Sequence, residues 1–229
     1  MNAIQLTGVK KFYQEGDTVV RAVDGVDLAI APGEFASLAG TSGSGKTTLL
    51  NLIGGLDRPD EGTLAIDGVS IKDKTDDQLA DLRLRRIGFV FQAYNLIPVL
   101  TVYENVQFVL QAQGIPEREH AGRIMPILEE LGLAPLAKRF PTQLSGGQQQ
   151  RVAVARAIVG DPAIVLADEP TANLDSETSA ALLKMMKRLN VERGITFLFS
   201  SHDPAVIELA ERVIRVKDGK VLADERKSV

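Results

Sequence analysis

Three short stretches carry residue types and spacings that suit phosphate chemistry. The first is Gly40-Thr41-Ser42-Gly43-Ser44-Gly45-Lys46-Thr47-Thr48, which reads G-x-x-x-x-G-K-T. Its glycines let the backbone curl and turn a row of N–H groups inward, and a helix starting there adds its positive end to the nest. Lys46 supplies a charge within reach of β- and γ-phosphate oxygens, and the Thr47 hydroxyl is placed to ligate Mg²⁺. The second is Asp168-Glu169 after the apolar run Ile164-Val165-Leu166-Ala167. An Asp at a strand end can hold Mg²⁺ directly or through water. A Glu one residue further out can orient or deprotonate an attacking water, work that contributes roughly 10²–10⁴ in rate. Alone, an Asp-Glu pair reads equally as a helix cap or a solvated turn. The third is Leu144-Ser145-Gly146-Gly147-Gln148, where glycines open a helix just after a serine. That is a second phosphate-binding helix start, or a plain serine N-cap.

The elements that must position these residues follow from the flanks. Phe35-Ala36-Ser37-Leu38-Ala39 is apolar enough for a buried strand, and Thr48 to Ile53 continues as a helix stopped by Gly54-Gly55. Strand, glycine loop and helix come in the order the loop needs. Before them, Ile4, Leu6, Val26, Leu28 and Ile30 show strand alternation, with a loop expected over 11–17. Tyr13 on that loop could stack on a base or simply be a half-buried rim aromatic. Asp67-Gly68 between short apolar runs signals a hairpin. A short helix is expected from Asp76 to Arg86 and a buried strand from Ile87 to Phe91, ending at Gln92.

Thr101-Val102-Tyr103-Glu104 is a capping box, and the helical spacing of Val106, Val109 and Leu110 recurs at Ile124, Ile127, Leu128 and Leu131. Gly132 suits a C-cap, and Pro126 predicts a kink or break. Residues 93–143 therefore read as an all-helical insertion between core segments 1–92 and 144–229. The core resumes with a helix over 146–160, strands at 163–167 and 195–199, a helix capped by Asp175 or Ser176, and a terminal hairpin turning at Asp218-Gly219. Apolar strands alternating with helices imply a parallel sheet with ligand at the strands' carboxyl ends.

Composition sets the outer limits. The chain has 229 residues, 45% hydrophobic and 24% charged, which suits one large domain. With 26 Lys and Arg against 30 Asp and Glu, net charge is −4, and no basic run marks a nucleic-acid face. There are no cysteines for disulfides or thiolate metal sites. No stretch approaches the ~20 apolar residues of a membrane span, so a cytosolic location is expected.

Taken together and in order, G-T-S-G-S-G-K-T, L-S-G-G-Q-Q-Q-R and L-A-D-E-P-T resemble the signature set of ABC ATPases over nearly the whole chain. The resemblance implies a P-loop NTPase core of α/β class, with a parallel sheet, an N-terminal antiparallel β subdomain and an inserted helical subdomain. It implies ATP and Mg²⁺ as cofactors and ATP hydrolysis as the activity. It also implies roles residue by residue. Gly40–Thr48 would hold phosphates, Tyr13 would stack on adenine, and Gln92 would touch Mg²⁺ or water as a hinge. Asp168 would hold the metal and Glu169 would act as base. Ser145, Gly146, Gly147 and Gln148 would bind the nucleotide of a second copy, Asp175 would lie in the loop that crosses to that copy, and His202 would contact the γ-phosphate and Glu169. Without the other motifs His202 would read as structural.

Finer similarity is to the macrolide-export and lipoprotein-release branch, through L-D-R-P-D-E-G at 56–62, F-V-F-Q-A-Y-N-L-I-P at 89–98, L-T-V-Y-E-N-V at 100–106 and L-A-D-E-P-T-A-N-L-D at 166–175. Thr41, Ala172 and Ser201 depart from that branch's usual Pro, Gly and Thr. Implied partners are a second copy in an ATP-sandwich homodimer and an integral membrane permease that holds the chain on the inner face of the membrane. No nucleic acid is expected. The run Tyr94, Leu96, Ile97, Pro98, Val99, Leu100 would border a permease groove or pack its own subdomain. The competing reading is a soluble ABC-type ATPase acting on nucleic acid or ribosomes. The lack of sustained heptads between Lys46 and Ser145, and a single cassette per chain, weigh against it.

Overall fold

The computed structural model describes residues 1–227. In chain order the elements are β1 (Ile4–Glu15), β2 (Thr18–Ile30), β3 (Phe35–Ala39), α1 (Lys46–Ile53), β4 (Glu61–Ile66), β5 (Val69–Ser70), α2 (Asp76–Arg86) and β6 (Ile87–Val90). There follow α3 (Val102–Ala112), α4 (Glu117–Glu130), 3-10 turns at Ala134–Leu136 and Pro141–Gln143, and α5 (Gly146–Ile158). The chain closes with β7 (Ile164–Asp168), α6 (Ser176–Arg193), β8 (Phe197–Ser201), α7 (Pro204–Leu209), β9 (Arg212–Lys217) and β10 (Lys220–Arg226).

Two sheets result. One is antiparallel in the order β2-β1-β4-β5, and the other runs β10-β9-β3-β8-β7-β6. In the second, β9, β3, β8, β7 and β6 are parallel and only β10 is antiparallel. Its central strands are apolar without alternation because both faces are covered. Phe35, Val165, Phe197 and Phe199 face a core shared with α3 to α6, while Leu38, Leu166 and Leu198 face one shared with α1, α2 and the antiparallel sheet. The α/β class, the parallel sheet and the antiparallel β region thus match the sequence reading.

Local signals act as the chemistry requires. Thr101 and Glu104 cap α3 reciprocally, and the Asp67-Gly68 turn takes φ of 47° and 73°, the left-handed pair a two-residue hairpin needs. Between β6 and α5 residues 91–101 are turns and irregular chain rather than the helix expected from 93, and the helices begin at Val102, with Val106, Leu110, Ile124 and Leu128 buried.

Three further expectations are corrected. The loop over 11–17 is strand up to Glu15, turning only at Gly16-Asp17; this end of the hairpin projects beyond the core, so no one-sided apolar pattern marks it. Of the kink or break expected at Pro126, the break does not occur, since α4 runs through it. Pro126 and Gly122, whose carbonyl loses its i+4 partner, both lie on the exposed face, where that carbonyl is not sealed from solvent. Finally, β8 starts at Phe197 rather than Ile195, because the Ile195 carbonyl is taken by the Asn190 side chain (2.8 Å).

Candidate active site

Each core strand delivers one motif at its carboxyl end. β3 runs into the glycine loop, β7 ends at Asp168, β8 leads to His202 and β6 to Gln92. Parallel register puts these ends on one edge of the sheet, around a cavity of about 1320 Å³ lined by Thr41–Thr48, Gln92, Glu169, Ser200 and His202. That is the switch-point location expected of an open parallel sheet.

The loop's shape is sterically enforced. Gly45 is the N-cap of α1 at φ 100°, and a Cβ there would lie 2.3 Å from the Ala22 carbonyl oxygen. A Cβ on Gly40 would lie 2.2 Å from the Val216 carbonyl oxygen. Lys46 is buried and its ammonium donates to the Gly40 (2.7 Å) and Thr41 (3.0 Å) carbonyls, which leaves a third proton for an anion in the cavity. Arg21, Lys217 and Lys220 also line the cavity, together with Asp24 and Asp218, and Asp24 pairs with both Arg21 (3.9 Å) and Lys220 (3.2 Å).

Asp168 and Glu169 have opposite surroundings. Burial pushes the Asp168 carboxyl above its ordinary range; the nearby Ser200 hydroxyl, outside hydrogen-bond geometry, pulls it down, the Glu169 charge adds to the rise, and Lys46 opposes it. Glu169 is held at both oxygens: Oε1 pairs with His202 Nδ1 at 2.7 Å and Oε2 accepts from the Ser201 hydroxyl at 2.9 Å. Its backbone sits at φ 44°, a left-handed conformation costly for a branched-free but bulky side chain, and its N–H is tied to the Ser200 carbonyl. Such strain is commonly stored where a side chain must point into a site.

The residues present fit Mg²⁺. Asp168 Oδ1 and Ser200 Oγ are buried without hydrogen-bond partners, and Thr47, Asp168 and Gln92 offer the hard oxygen donors the ion prefers. Among the described residues no cluster of three or more His, Cys, Asp or Glu could hold a metal. Mg²⁺ is commonly held by one or two carboxylates together with phosphate oxygens and water.

Other predicted site residues lie elsewhere. Ser145, Gly146, Gly147 and Gln148 do not line this cavity. Ser145 and Gln148 form a reciprocal capping box on α5. The two glycines also have packing reasons: a Cβ on Gly146 would sit 2.8 Å from the Tyr94 hydroxyl, and one on Gly147 would sit 2.3 Å from Thr178 Cγ2. Asp175 caps α6, accepting from the Thr178 N–H at 2.9 Å, and also lies outside the cavity. Tyr13 does not line it either, although Val20, directly opposite on β2, does. The apolar run splits. Ile97 joins Leu56, Leu84, Phe91 and Phe108 in a groove of about 520 Å³, whereas Tyr94, Leu96 and Pro98 line a separate cleft of about 350 Å³.

Sequence reasoning missed Ser201 as a partner of Glu169, and the charged pairs of Asp24 with Arg21 and Lys220 beside the cavity. The signal for Ser201 was its place between a buried strand and His202. Arg21 and Lys220 come from strands far apart in sequence, and no spacing rule links them.

The chain is 45% identical over 223 residues to the macrolide export ATP-binding/permease protein MacB of Syntrophobacter fumaroxidans, covering 96% of the chain but 31% of that protein. It thus spans about a third of the MacB relatives. It is 44% identical over 224 residues to the lipoprotein-releasing system ATP-binding protein LolD of Anaeromyxobacter dehalogenans, covering 96% and 93%. The uncharacterized ABC transporter ATP-binding protein MJ0796 of Methanocaldococcus jannaschii is 46% identical over 229 residues, covering 97% of both chains. A solved dimeric structure of MJ0796, described as a post-hydrolysis state bound to ADP and Pi, superposes with a TM-score of 0.89 over 99% of this chain and 100% of that one, at 43% identity. The profile of the ABC transporter family matches residues 23–172, and the chain belongs to that family.

Proposed function

We propose that the chain is the ATP-hydrolysing subunit of an ABC transporter and that two copies share each ATP. The observation that carries this is a division of labour within one chain. The glycine loop, Gln92, Glu169 and His202 surround one cavity, while the second phosphate-binding helix start, Ser145–Gln148, lies outside it. A head-to-tail pair related by a two-fold axis brings that helix start over the partner's cavity. The solved relative described as a dimer with ADP and Pi supports the arrangement.

In this reading Gly40–Thr48 cradle the phosphates and Lys46 binds the β- and γ-oxygens. Thr47, Asp168 and Gln92 would hold Mg²⁺, which when bound would neutralise the negative charge on the β- and γ-phosphate oxygens. Glu169 Oε1 accepts a proton from the attacking water as the water oxygen bonds to the γ-phosphorus and that phosphorus parts from the β–γ bridging oxygen, releasing ADP, while His202 contacts the γ-phosphate. Tyr13 stacks on adenine. Ser145 keeps its hydroxyl proton to donate, since its oxygen is the acceptor in the cap. ATP closes the pair because it contacts both halves, and the shift is bounded by its preference for closed over open. Hydrolysis removes that shared ligand.

Residues 93–143 act as a helical subdomain that Gln92 moves against the core. The Ile97–Phe108 groove receives a cytoplasmic segment of a permease, which holds the chain on the inner face of the membrane; no helix of the described residues is itself long and apolar enough to cross. The similarity to MacB and LolD favours export or extraction of a lipoprotein, lipid, peptide or drug, and favours transport over action on nucleic acid or ribosomes.

The test is purification of the tagged chain from native membranes in mild detergent. Co-isolation of an integral membrane permease with Mg²⁺-dependent phosphate release supports the proposal. Co-isolation of ribosomes or nucleic acid, or absence of ATP hydrolysis by the complex, overturns it.

A further inference from the structure

The segment Asp57-Arg58-Pro59-Asp60-Glu61 carries four charged residues, yet the mechanism above gives it no task. It links α1, which begins in the glycine loop, to β4. The N–H groups of Leu56 (2.9 Å) and Asp57 (3.3 Å) both donate to the Asn51 carbonyl on α1. From that anchor the segment grips β1. Asp57 Oδ2 accepts from the Tyr13 hydroxyl at 2.8 Å, and Oδ1 accepts from Lys11 Nζ at 2.8 Å and from the Arg58 N–H at 2.7 Å. Asp60 Oδ2 accepts from the Phe12 N–H at 2.6 Å, and its own N–H donates to the Lys10 carbonyl at 2.9 Å. Lys11 Nζ also stands 5.4 Å from the Tyr13 ring centroid.

From this geometry we infer that Asp57 is a positioning residue for the nucleotide base: it fixes the Tyr13 ring at a set distance and angle from the phosphate loop. The inference rests on the reading of Tyr13 as the base-stacking residue. Tyr13 is 39% exposed and sits at the projecting end of a hairpin, where an unanchored ring would sample several rotamers. Val20, its cross-strand neighbour on the same face, lines the cavity. The Asp57 bond removes the ring's freedom before the ligand arrives, so stacking does not have to order it. The charge state supports a durable bond. Burial works against ionisation of Asp57, but the bonds from Lys11, Tyr13 and Arg58 outweigh it and hold the carboxyl below its usual range. Asp57 thus makes one rigid body of the phosphate loop, its helix and the base platform.

The experiment compares affinity for ATP with affinity for inorganic tripolyphosphate, which has no base to stack. Tyr13→Phe keeps the ring and removes the bond, and Asp57→Ala removes the anchor. Each should weaken ATP about 3- to 10-fold while leaving tripolyphosphate unchanged, from the cost of immobilising one side chain. The double variant should be no weaker than either single one. Equal losses for both ligands, or no loss for either, overturn the inference. Tyr13→Ala separates it from the reading beneath. If that variant lowers the ATP-to-tripolyphosphate ratio while Tyr13→Phe and Asp57→Ala do not, only the positioning role fails. If it leaves the ratio unchanged, Tyr13 is not the base platform and both fail.

Discussion

Glu169→Gln isolates the proton-accepting step from every other property of the site. The amide is nearly isosteric, and both contacts of the carboxylate can be remade. Ser201 Oγ, 2.9 Å from Oε2, has a lone pair free to accept from the new NH₂ in addition to the Asp203 N–H. His202 Nδ1, 2.7 Å from Oε1, can take either tautomer to match. The left-handed φ of 44° costs Gln as much as Glu, so it cancels. Folding stability should therefore change by less than about 1 kcal/mol. Loss of a positioned general base removes roughly 10²–10⁴ in rate, which raises the barrier by about 2.7–5.4 kcal/mol. Affinity for ATP should hold or improve, because a carboxylate charge that faces the γ-phosphate is gone. Phosphate release measured in single turnover, alongside calorimetric ATP binding, reads both effects. Turnover within about threefold of the unaltered protein would refute the assignment of Glu169. Joint collapse of binding and rate would show that its role is to hold the site together.

In the metal role proposed for it, Asp168 is a buried carboxylate that costs the fold stability at neutral pH. Its carboxyl binds a proton more tightly folded than unfolded, so its contribution is present below the unfolded pKa and lost as pH rises through the raised folded value. Asp168→Asn should therefore match or exceed the original thermal midpoint near pH 7, with the gap closing at acid pH, and should lose Mg²⁺-dependent stabilisation by ATP; a lower midpoint at neutral pH contradicts this. Gly45→Ala meets a backbone oxygen at 2.3 Å, whereas Gly43→Ala, at φ 77°, meets open space. Fluorescent-nucleotide titration should show over tenfold weaker binding for the first, with the second retaining binding at a stability cost of about 1–2 kcal/mol; equal effects would refute the close-approach argument. Ser201→Ala removes a hydrogen bond to a carboxylate and should lower kcat roughly tenfold with KM little changed, and Ser201→Thr should restore it. A KM effect without a kcat effect would deny Ser201 its place behind Glu169.

The parts legible in the sequence are those whose chemistry is local. The glycine loop, the apolar strand ending in Asp168 and the Thr101–Glu104 box each declare themselves within a few residues, and each sits where its pattern says. Periodicity also gave the two-faced burial of β7 and β8, since a strand covered on both sides has no reason to alternate. What could not be read depends on pairing across long separations. The contact between Tyr13 and Asp57 needs the register of β1 against β4, and the pairing of Asp24 with Lys220 needs β2 beside β10. Propensity misled at Pro126, where α4 continues through a residue that costs a helix interior about 3 kcal/mol, because Ile124, Ile127 and Leu128 on either side are buried in the core. The glycines of Ser145–Gln148 have two explanations at once, packing against Tyr94 and Thr178 and an open helix start, and composition does not separate them.

The most direct measurement is sedimentation of the Glu169→Gln chain with and without Mg–ATP. If the triphosphate is held between Lys46 of one copy and Ser145 of the other, the chain should sediment as a monomer without nucleotide and as a dimer with it, and a second substitution, Ser145→Arg, should leave it monomeric while still binding ATP. A chain saturated with ATP that stays monomeric, or a Ser145→Arg variant that dimerises as readily, would contradict the shared site.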